Sequence, residues 1–279
     1  MNLTSSEQVQ FVVFIAVMLC VLLLEIKYST RDLPKVDKYD RWFLNLSLFI
    51  VATLFIQFSL PLSVFALTAW AKDNDFGLIS LHKYSLLVNV SVFVLCVDFL
   101  LYLMHRLYHK HPLLWKIHAA HHSDTSVDFS TALRFHPFEF LLTTLAVSAL
   151  VVVLSPAIEA VLGYFILHAI STFFTHGNFL LSNGIARVIG FVFVTPNQHT
   201  LHHSLVRIQA NTNYGIVLSI WDRIFKTLSV FPTDVLVKVA HGIKSQPLLN
   251  PSRLISVLFY PFKMAQKGAG NEKDVDVSK

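Results

Sequence analysis

The chain has 279 residues, of which 54% are hydrophobic and only 14% are charged, and its mean hydropathy is +0.58. Soluble domains carry about a quarter charged residues, so this composition excludes an ordinary soluble domain and favours a membrane protein. The formal net charge of +5 does not indicate nucleic-acid binding, because much of the basic charge lies beside apolar segments, where Lys and Arg set topology and meet anionic lipid headgroups.

Five long apolar segments predict membrane helices. In chain order they cover residues 10–26, 42–69, 86–104, 138–154 and 157–175. Each is about long enough to cross the hydrocarbon core of a bilayer once flanking residues are counted. We interpret the first as a retained anchor rather than a cleaved signal peptide, because residues 1–8 lack a basic region. The segments predict an all-α integral membrane bundle with about four to five spanning or re-entrant helices.

The basic loop after the first segment predicts the orientation of the bundle. It carries Lys27, Arg31, Lys35, Lys38 and Arg41. The positive-inside rule places such a loop in the cytoplasm and the amino terminus outside. The tight connection at Ser155-Pro156 predicts that the fourth and fifth segments form a hairpin inserted from one side. Counting spans then brings the histidine-rich segments to the cytoplasmic face, where they would form one cap on the bundle.

Three histidine clusters are the strongest chemical signal in the sequence. They are His105 and His109; His118, His121 and His122; and His199, His202 and His203. Imidazole is a good ligand for iron, copper and zinc, and residues three or four apart share one helix face. Eight imidazoles are too many for one four- to six-coordinate ion, which favours two metals. The last two histidines of each H-x-x-H-H motif diverge by about 100°, so one cluster can supply both ions.

Two residues before the first cluster are predicted to support the ligands. Asp98 and Tyr102 precede His105 on the same helical stripe. An aspartate near the end of a membrane helix is costly unless it is paired, and we expect Asp98 to accept a hydrogen bond from a ligand imidazole. The alternative is a solvated carboxylate or one paired with arginine.

The clusters belong to a longer pattern of motifs. In order, these are H-R-L-Y-H at 105–109, H-A-A-H-H-S at 118–123, A-L-R-F-H-P at 132–137, H-G-N at 176–178, T-P-N-Q-H-T-L-H-H-S at 195–204 and N-Y-G-I-V-L-S-I-W-D-R-I-F-K-T at 213–227. Over roughly residues 85–228, this pattern resembles the fatty acid hydroxylase superfamily, also called the sterol desaturase family. Its members are integral membrane, di-iron, oxygen-dependent enzymes.

The resemblance implies an activity and a fuller ligand set. It implies two histidine-ligated iron ions that use O2 to hydroxylate a C–H bond of a membrane lipid, such as a fatty acyl, alkylglycerol, sterol or isoprenoid chain. The eight clustered histidines would be ligands together with His176 of H-G-N. Asp222 would either hydrogen-bond a ligand histidine or cap its helix locally. His136, in F-H-P-F-E, is expected to orient the catalytic cap, and its position before proline favours an extended backbone.

The other histidines are expected outside the metal site. We interpret His168 as a pocket or supporting residue rather than a ligand, because it lies two helical turns before His176. His82, His111 and His241 fall outside the motifs and are expected to be surface residues.

Electrons are expected from a separate protein. The sequence contains no haem-binding cytochrome segment and no flavin fingerprint, and its two cysteines, Cys20 and Cys96, lie in different apolar segments. A cytochrome, ferredoxin or reductase is therefore the expected protein partner, beside the lipid substrate.

Three parts of the chain are predicted: membrane helices at 1–84, a catalytic domain at 85–228, and an interfacial segment with a flexible tail at 229–279. Two alternatives to hydroxylation stay open. One is a lipid desaturase that uses the same di-iron site, and the other is a non-catalytic metal-binding or transport protein. A transporter would need polar groups near the midplane of its spans, whereas these ligands crowd at one edge.

Overall fold

The structure, a computed structural model, describes residues 5–33, 38–243 and 250–263. Lys35 of the predicted basic loop and the predicted tail beyond residue 263 lie outside these ranges. The described residues form an all-helical fold, as the sequence predicts, and their extended pairing is limited to two isolated bridges.

Thirteen α-helices occur within the described ranges. They are α1 (Ser5–Tyr28), α2 (Lys38–Ser59), α3 (Val64–Asp73), α4 (Leu86–Lys110), α5 (Pro112–His122), α6 (Pro137–Leu154), α7 (Ile158–His176), α8 (Asn183–Ile189), α9 (Pro196–His202), α10 (Arg207–Ala210), α11 (Ile220–Ile224), α12 (Thr233–Leu236) and α13 (Leu254–Lys263). Short 3-10 turns cover Leu81–Lys83 and Phe129–Leu133.

Five helical stretches are long and apolar enough to cross a membrane: α1, α2 together with α3, α4, α6 and α7. They coincide with the five segments predicted from the sequence. The chain breaks between α2 and α3, where Pro61 has no amide proton to donate to a helix and Ser63 caps α3. Large apolar side chains such as Phe11 and Phe58 are exposed on these stretches, which suits a surface that contacts lipid.

Helices α4 and α7 form the centre of the bundle. Helix α4 packs against α6 and α7, α1 lies against α7, and both α2 and α3 lie against α6. The buried side chains of the α4–α6–α7 core are aliphatic and aromatic: Phe93, Val97, Leu101, Val147, Val151, Val161 and Tyr164. Because α4 and α7 both end in histidine-bearing turns, this packing fixes the relative positions of those turns.

The two ends of the bundle differ in chemistry. At one end the loop after α3 pairs with the α6–α7 connection, where the amide of Leu78 donates to the carbonyl of Val153 and the amide of His82 donates to that of Ser155. At the other end lie the basic residues that follow α1 and the histidines of α4, α5, α7 and α9. The predicted hairpin of α6 and α7 is therefore present, and its turn lies opposite the histidines.

Buried polar contacts around Asn178 bind helix α1 to the histidine end. The Oε2 atom of Glu25 accepts hydrogen bonds from the amides of Phe129 and Asn178, at 3.0 and 3.1 Å. Arg31 donates through Nε to Oδ1 of Asn178, and the side chain of Asn178 donates back to the carbonyl of Arg31. These contacts hold the segment just after His176 against the end of α1.

A buried ion-pair network joins helix α2 to the same region. Arg41 pairs with Asp124 and Asp128, and Asn45 donates to the carboxylate of Asp124 at 3.2 Å. Burial alone would raise the pKa of Asp124, but the guanidinium groups of Arg41 and Arg134 hold it below its ordinary value. The junction between α2 and the cap therefore consists of charged groups that satisfy one another.

Two of the three histidines expected at the surface do not lie there. His241 is 8% exposed, and its ring lies beside the guanidinium of Arg31, because residues 240–242 fold back onto the segment after α9. The His82 side chain is 11% exposed and bonds to the turn between α6 and α7. Of the three, His111 alone is exposed as expected.

Replacing Asn178 with Ala is predicted to destabilise the protein, because it removes three side-chain hydrogen bonds to Ser29 and Arg31, two of them buried. At roughly 1 kcal/mol per bond, the loss is about 2–4 kcal/mol. The unfolding temperature in detergent should fall by about 2–4 °C per kcal/mol, as followed by circular dichroism. The exposed Asn74 provides the control, since Asn74→Ala should change stability by less than about 0.5 kcal/mol. Equal unfolding temperatures for the two variants would contradict this role of Asn178.

Candidate metal centre

Four helices carry the nine candidate ligands to one end of the bundle. Helix α4 ends with His105 and His109, and α7 ends with His176. Helices α5 and α9 supply the two H-x-x-H-H motifs. All nine side chains are buried, none being more than 9% exposed.

The two short histidine helices, α5 and α9, each begin with a proline. Pro112 and Pro196 occupy their first turns, where an amide proton has no helical partner. At α9, Thr195 accepts a hydrogen bond from the amide of Gln198, and the side chain of Gln198 accepts one from the amide of Thr195. This capping box fixes the direction in which α9 enters the site.

The nine imidazoles form two groups. The first contains His105, His109, His118, His122 and His202, and the second contains His121, His176, His199 and His203. Within each group, one nitrogen per ring lies within 4.8 Å of the others. Each H-x-x-H-H motif contributes to both groups, which is the arrangement that its helical geometry predicts.

Hydrogen bonds orient six of the nine rings. Their Nδ1–H groups donate as follows: His105 to the Tyr214 carbonyl at 2.8 Å, His109 to Asn211 Oδ1 at 3.2 Å, His118 to Glu139 Oε1 at 2.8 Å, His121 to the Arg134 carbonyl at 3.2 Å, His176 to the Thr172 carbonyl at 2.7 Å, and His202 to the Thr212 carbonyl at 2.7 Å. Because each acceptor takes the Nδ1 proton, the Nε2 atom keeps a lone pair that points into the group.

The spacing of the inward nitrogens fits metal coordination. In His121 and His176 the two Nε2 atoms are 3.2 Å apart and both carry lone pairs, so their contact is not a hydrogen bond and is repulsive unless a cation lies between them. The Nε2 of His199 lies 2.9 Å from that of His176. At a metal–nitrogen distance of about 2.1 Å, ligands at right angles are about 3 Å apart. The donor set therefore fits bound metal ions.

Three further nitrogens support the same conclusion. The Nε2 atoms of His105, His118 and His202 are buried and have no hydrogen-bond partner among the described residues. A buried acceptor without a partner is costly, and a bound cation removes that cost.

Burial also sets the protonation state of the cap histidines. Desolvation lowers the pKa of each well below its ordinary value, and neighbouring imidazoles lower several of them further. The affected residues are His118, His121, His122, His199, His202 and His203. Neutral imidazole is the form that binds metal, so these side chains need lose no proton to bind a metal ion at neutral pH.

The expected hydrogen bond from Asp98 to a ligand imidazole is wrong. Its carboxylate accepts instead from the amides of Val217 and Leu218 and from the indole nitrogen of Trp221, at 2.9–3.1 Å. The reason is distance, since seven residues advance a helix by about 10.5 Å and carry Asp98 past the reach of the ring of His105. The carboxylate of Asp98 therefore holds the loop that follows α10 in place through hydrogen bonds.

Asp222 holds the same loop. Its carboxylate accepts from the amides of Tyr214 and Gly215 at 2.8 Å, and from the hydroxyl of Thr227 at 2.6 Å. A Cβ atom at Gly215 would lie 2.9 Å from Oδ2 of Asp222, so only glycine allows this close approach. Asp222 thus contacts no ligand ring directly and instead fixes the Tyr214 carbonyl that accepts from His105.

Tyr102 and His136 form their hydrogen bonds with residues other than the nine histidines. The Tyr102 hydroxyl bonds to Thr227 at 2.9 Å, next to Asp222. His136 has the extended backbone expected before proline and accepts from the amide of Phe138 at the start of α6. Its Nε2 donates to the carbonyl of Leu258, so His136 joins α6 to α13.

The supporting residues that were not predicted from the sequence include Glu139 and Arg134 as well as Asn211. Glu139 accepts a hydrogen bond directly from His118. Its position in the motif F-H-P-F-E was the one feature of the sequence that could have indicated this role. Arg134 is 1% exposed, donates to the carbonyl of Ala120 and the hydroxyl of Ser123, and thereby fixes the end of α5.

A cavity of about 90 Å³ adjoins the imidazoles between α4, α6 and α7. The imidazoles of both groups form one side of it, and Leu101, Met104, Ile216 and His168 lie on its other walls. His168 therefore lines this cavity and belongs to neither group of imidazoles. A larger cavity of about 460 Å³ lies between α2 and residues 123–126, and none of the nine histidines lines it.

The sequence of this chain is similar to those of known proteins. Residues 90–227 match the family model described as fatty acid hydroxylase. The chain is 31% identical over 170 residues to the ornithine lipid hydroxylase OlsE of Rhizobium tropici, which covers 59% of this chain and 50% of that protein. It is 32% identical over 149 residues to the alkylglycerol monooxygenase of Homo sapiens, covering 53% of this chain and 32% of that protein. No solved structure matches the chain.

The chain spans half or less of the length of these curated relatives. The matched family region nevertheless contains all nine histidines of the two groups. The histidine groups and the family match together indicate a metal site at this end of the bundle. Over residues 90–227, the chain belongs to the fatty acid hydroxylase family.

Proposed function

We propose that the protein is an O2-dependent di-iron hydroxylase that inserts one oxygen atom into a membrane lipid. The observation that carries this proposal is the pair of imidazole groups bordering a cavity between helices long and apolar enough to cross a membrane. Imidazole nitrogen suits iron among the first-row metals. The matched relatives include a lipid hydroxylase and a monooxygenase by name, which supports this class of reaction.

The nine histidines are assigned as ligands of two iron ions. One iron would take the five nitrogens of the first group, and the other would take the four nitrogens of the second. When bound, the irons would supply the O2 activation that attack on an unactivated C–H bond requires. Five and four protein ligands leave positions free within six-coordinate geometry.

The protein's own groups orient the ligands and keep the site dry. The Nδ1 acceptors fix each ring in one tautomer, and the carboxylate of Glu139 makes the His118 ring a stronger donor to a metal. Asp98 and Asp222 hold the loop whose Tyr214 carbonyl orients His105. Burial of all nine rings excludes bulk water from the reaction.

The proposed substrate is a lipid that reaches the site from within the bilayer. The cavity lies between α4, α6 and α7, and its walls away from the imidazoles include the apolar Leu101, Met104 and Ile216. An alkyl or acyl chain suits these walls, since burying it removes apolar surface from water. The names of the matched relatives, an ornithine lipid hydroxylase and an alkylglycerol monooxygenase, point to the same substrate class.

We propose that the histidine end faces the cytoplasm. Lys27, Arg31 and Arg41 lie at this end. At the opposite end, the positive charge of Lys83 is paired with the carboxylate of Asp75. This asymmetry is the one that the positive-inside rule associates with the cytoplasmic face. Electrons would then come from a separate cytochrome, ferredoxin or reductase on that side. Cys20 and Cys96 lie on different helices and offer no cluster site.

Anaerobic reconstitution with ferrous iron is predicted to give two irons per chain, because each imidazole group binds one. Metal content measured by mass spectrometry after gel filtration checks this value. Loss of one ligand from the second group in His203→Ala should lower the count towards one. The exposed His111 provides the control, and His111→Ala should retain both irons. A count near one in the parent protein, unchanged in His203→Ala, would contradict the two-iron assignment.

Single alanine replacements of the clustered histidines are predicted to abolish lipid oxidation without preventing membrane insertion. Insertion depends on the apolar helices rather than on the metal. Mass spectrometry of lipids from cells that express each variant measures the activity as a gain of one oxygen, and a loss of two hydrogens would identify desaturation instead. His82→Ala, altered at the opposite end, should stay active. Robust activity in any two of the eight variants would refute the ligand assignment.

Cysteine labelling is predicted to place the two ends of the bundle on opposite sides of the membrane. In a chain with Cys20→Ser and Cys96→Ser, an impermeant thiol reagent should label Asp75→Cys on intact cells. It should reach Arg207→Cys only after permeabilisation. Both positions are exposed, which makes the comparison fair. Labelling of Arg207→Cys from outside would reverse the proposed orientation.

A further inference from the structure

One buried carboxylate oxygen beside the imidazoles lacks a donor. Glu139, on α6, is 4% exposed. Its Oε1 atom accepts from Nδ1 of His118 at 2.8 Å, but its Oε2 atom has no hydrogen-bond partner among the described residues. A buried acceptor without a donor is destabilising. The position of Oε2 is therefore one where an incoming donor is bound favourably.

The cavity next to the imidazoles is where that donor would arrive. Glu139 is part of its wall, together with Thr143 and Thr175. The Thr143 hydroxyl is paired with the hydroxyl of Tyr108, and the Thr175 hydroxyl donates to the carbonyl of Thr172. Neither hydroxyl is bonded to Glu139, so the described residues leave Oε2 available to a molecule that occupies the cavity.

A second polar group in the same cavity is also unused. The ring of His168, on α7, makes no hydrogen bond with any described residue, although it lines the cavity. A neutral imidazole offers one donor and one acceptor. The cavity thus presents an acceptor on α6 and an imidazole on α7, within walls that are otherwise largely apolar. This combination suits a neutral group that both donates and accepts hydrogen bonds.

We propose that Glu139 selects the substrate by accepting a hydrogen bond from a hydroxyl or amide N–H group that lies close to the attacked carbon of the lipid. This inference rests on the proposed function for the identity of the cavity as the lipid site. A lipid that has no hydrogen-bond donor at this position would leave Oε2 of Glu139 unpaired and would therefore bind more weakly. Iron ions bound by the neighbouring histidines would, together with the apolar walls, disfavour a cationic headgroup at the same position.

Binding to the purified full-length protein tests this selection without turnover. The protein is loaded with zinc, which binds imidazole sites but carries out no redox chemistry. The probes are hexadecan-1-ol, hexadecanamide and 1-methoxyhexadecane, which share an alkyl chain and differ in the donor. Dissociation constants are measured by equilibrium dialysis in detergent. The alcohol or the amide should bind at least about 10-fold more tightly than the ether, and the tighter of the two identifies the donor.

Glu139→Gln should abolish this preference while the zinc content stays unchanged. A glutamine can accept from His118 only through its carbonyl oxygen, which leaves its NH2 group, a donor, where Oε2 had been an acceptor. The ether, which only accepts, should then bind as well as the alcohol or better. Thr144→Val, on the same helix with its hydroxyl bonded to the Phe140 carbonyl, is the matched control and should keep the preference.

Equal affinity of the parent protein for alcohol, amide and ether would overturn the role of Glu139 while leaving the lipid site intact. A preference that survives Glu139→Gln with full zinc content would do the same. If Glu139→Gln loses zinc, the comparison of the three probes in the parent protein decides the question. Absence of binding by all three probes would overturn both this inference and the proposed lipid site.

Discussion

The donation of Nδ1 protons to oxygen acceptors is the interaction on which the whole site depends. A neutral imidazole can carry its proton on either Nδ1 or Nε2. Without a hydrogen bond that holds the proton on Nδ1, the ring can point an N–H group rather than a lone pair towards the other imidazoles. Here the carbonyls of Tyr214, Thr212, Arg134 and Thr172 accept the protons, as do the side chains of Asn211 and Glu139. Six lone pairs are thereby fixed inward before any metal arrives.

These acceptors tie the site to the fold, because they come from different parts of the chain. Helix α6 supplies Glu139, α7 supplies the Thr172 carbonyl, and the loop after α10 supplies acceptors for three rings. The loop is in turn held by Asp98 and Asp222, which use their carboxylates on backbone amides. A chain of contacts therefore runs from carboxylate to amide, from carbonyl to imidazole, and from imidazole to the proposed metal. Buried polar groups at the end of a membrane bundle are stable only when such a chain is complete.

Much of the architecture follows from local sequence patterns. Apolar length predicts the five membrane-capable segments, and helical geometry predicts how each H-x-x-H-H motif divides between the two groups. The prolines and Thr195 predict the starts of α5 and α9 for equally local reasons. The hydrogen-bond acceptors of the imidazoles could not be predicted from the sequence. Most of these acceptors are backbone carbonyls, which every residue type has, so the residue type gives no indication of them. His241 is buried because the chain returns to the segment after α9, and no periodic pattern in the sequence predicts that return.

Anomalous diffraction at the iron edge from crystals of the iron-loaded protein would locate the bound ions and identify their ligands. We expect two iron peaks, one within His105, His109, His118, His122 and His202 and the other within His121, His176, His199 and His203, each bound through Nε2 atoms. A single peak shared by both groups, or coordination through Nδ1 of His105, His118 or His121, would contradict this expectation.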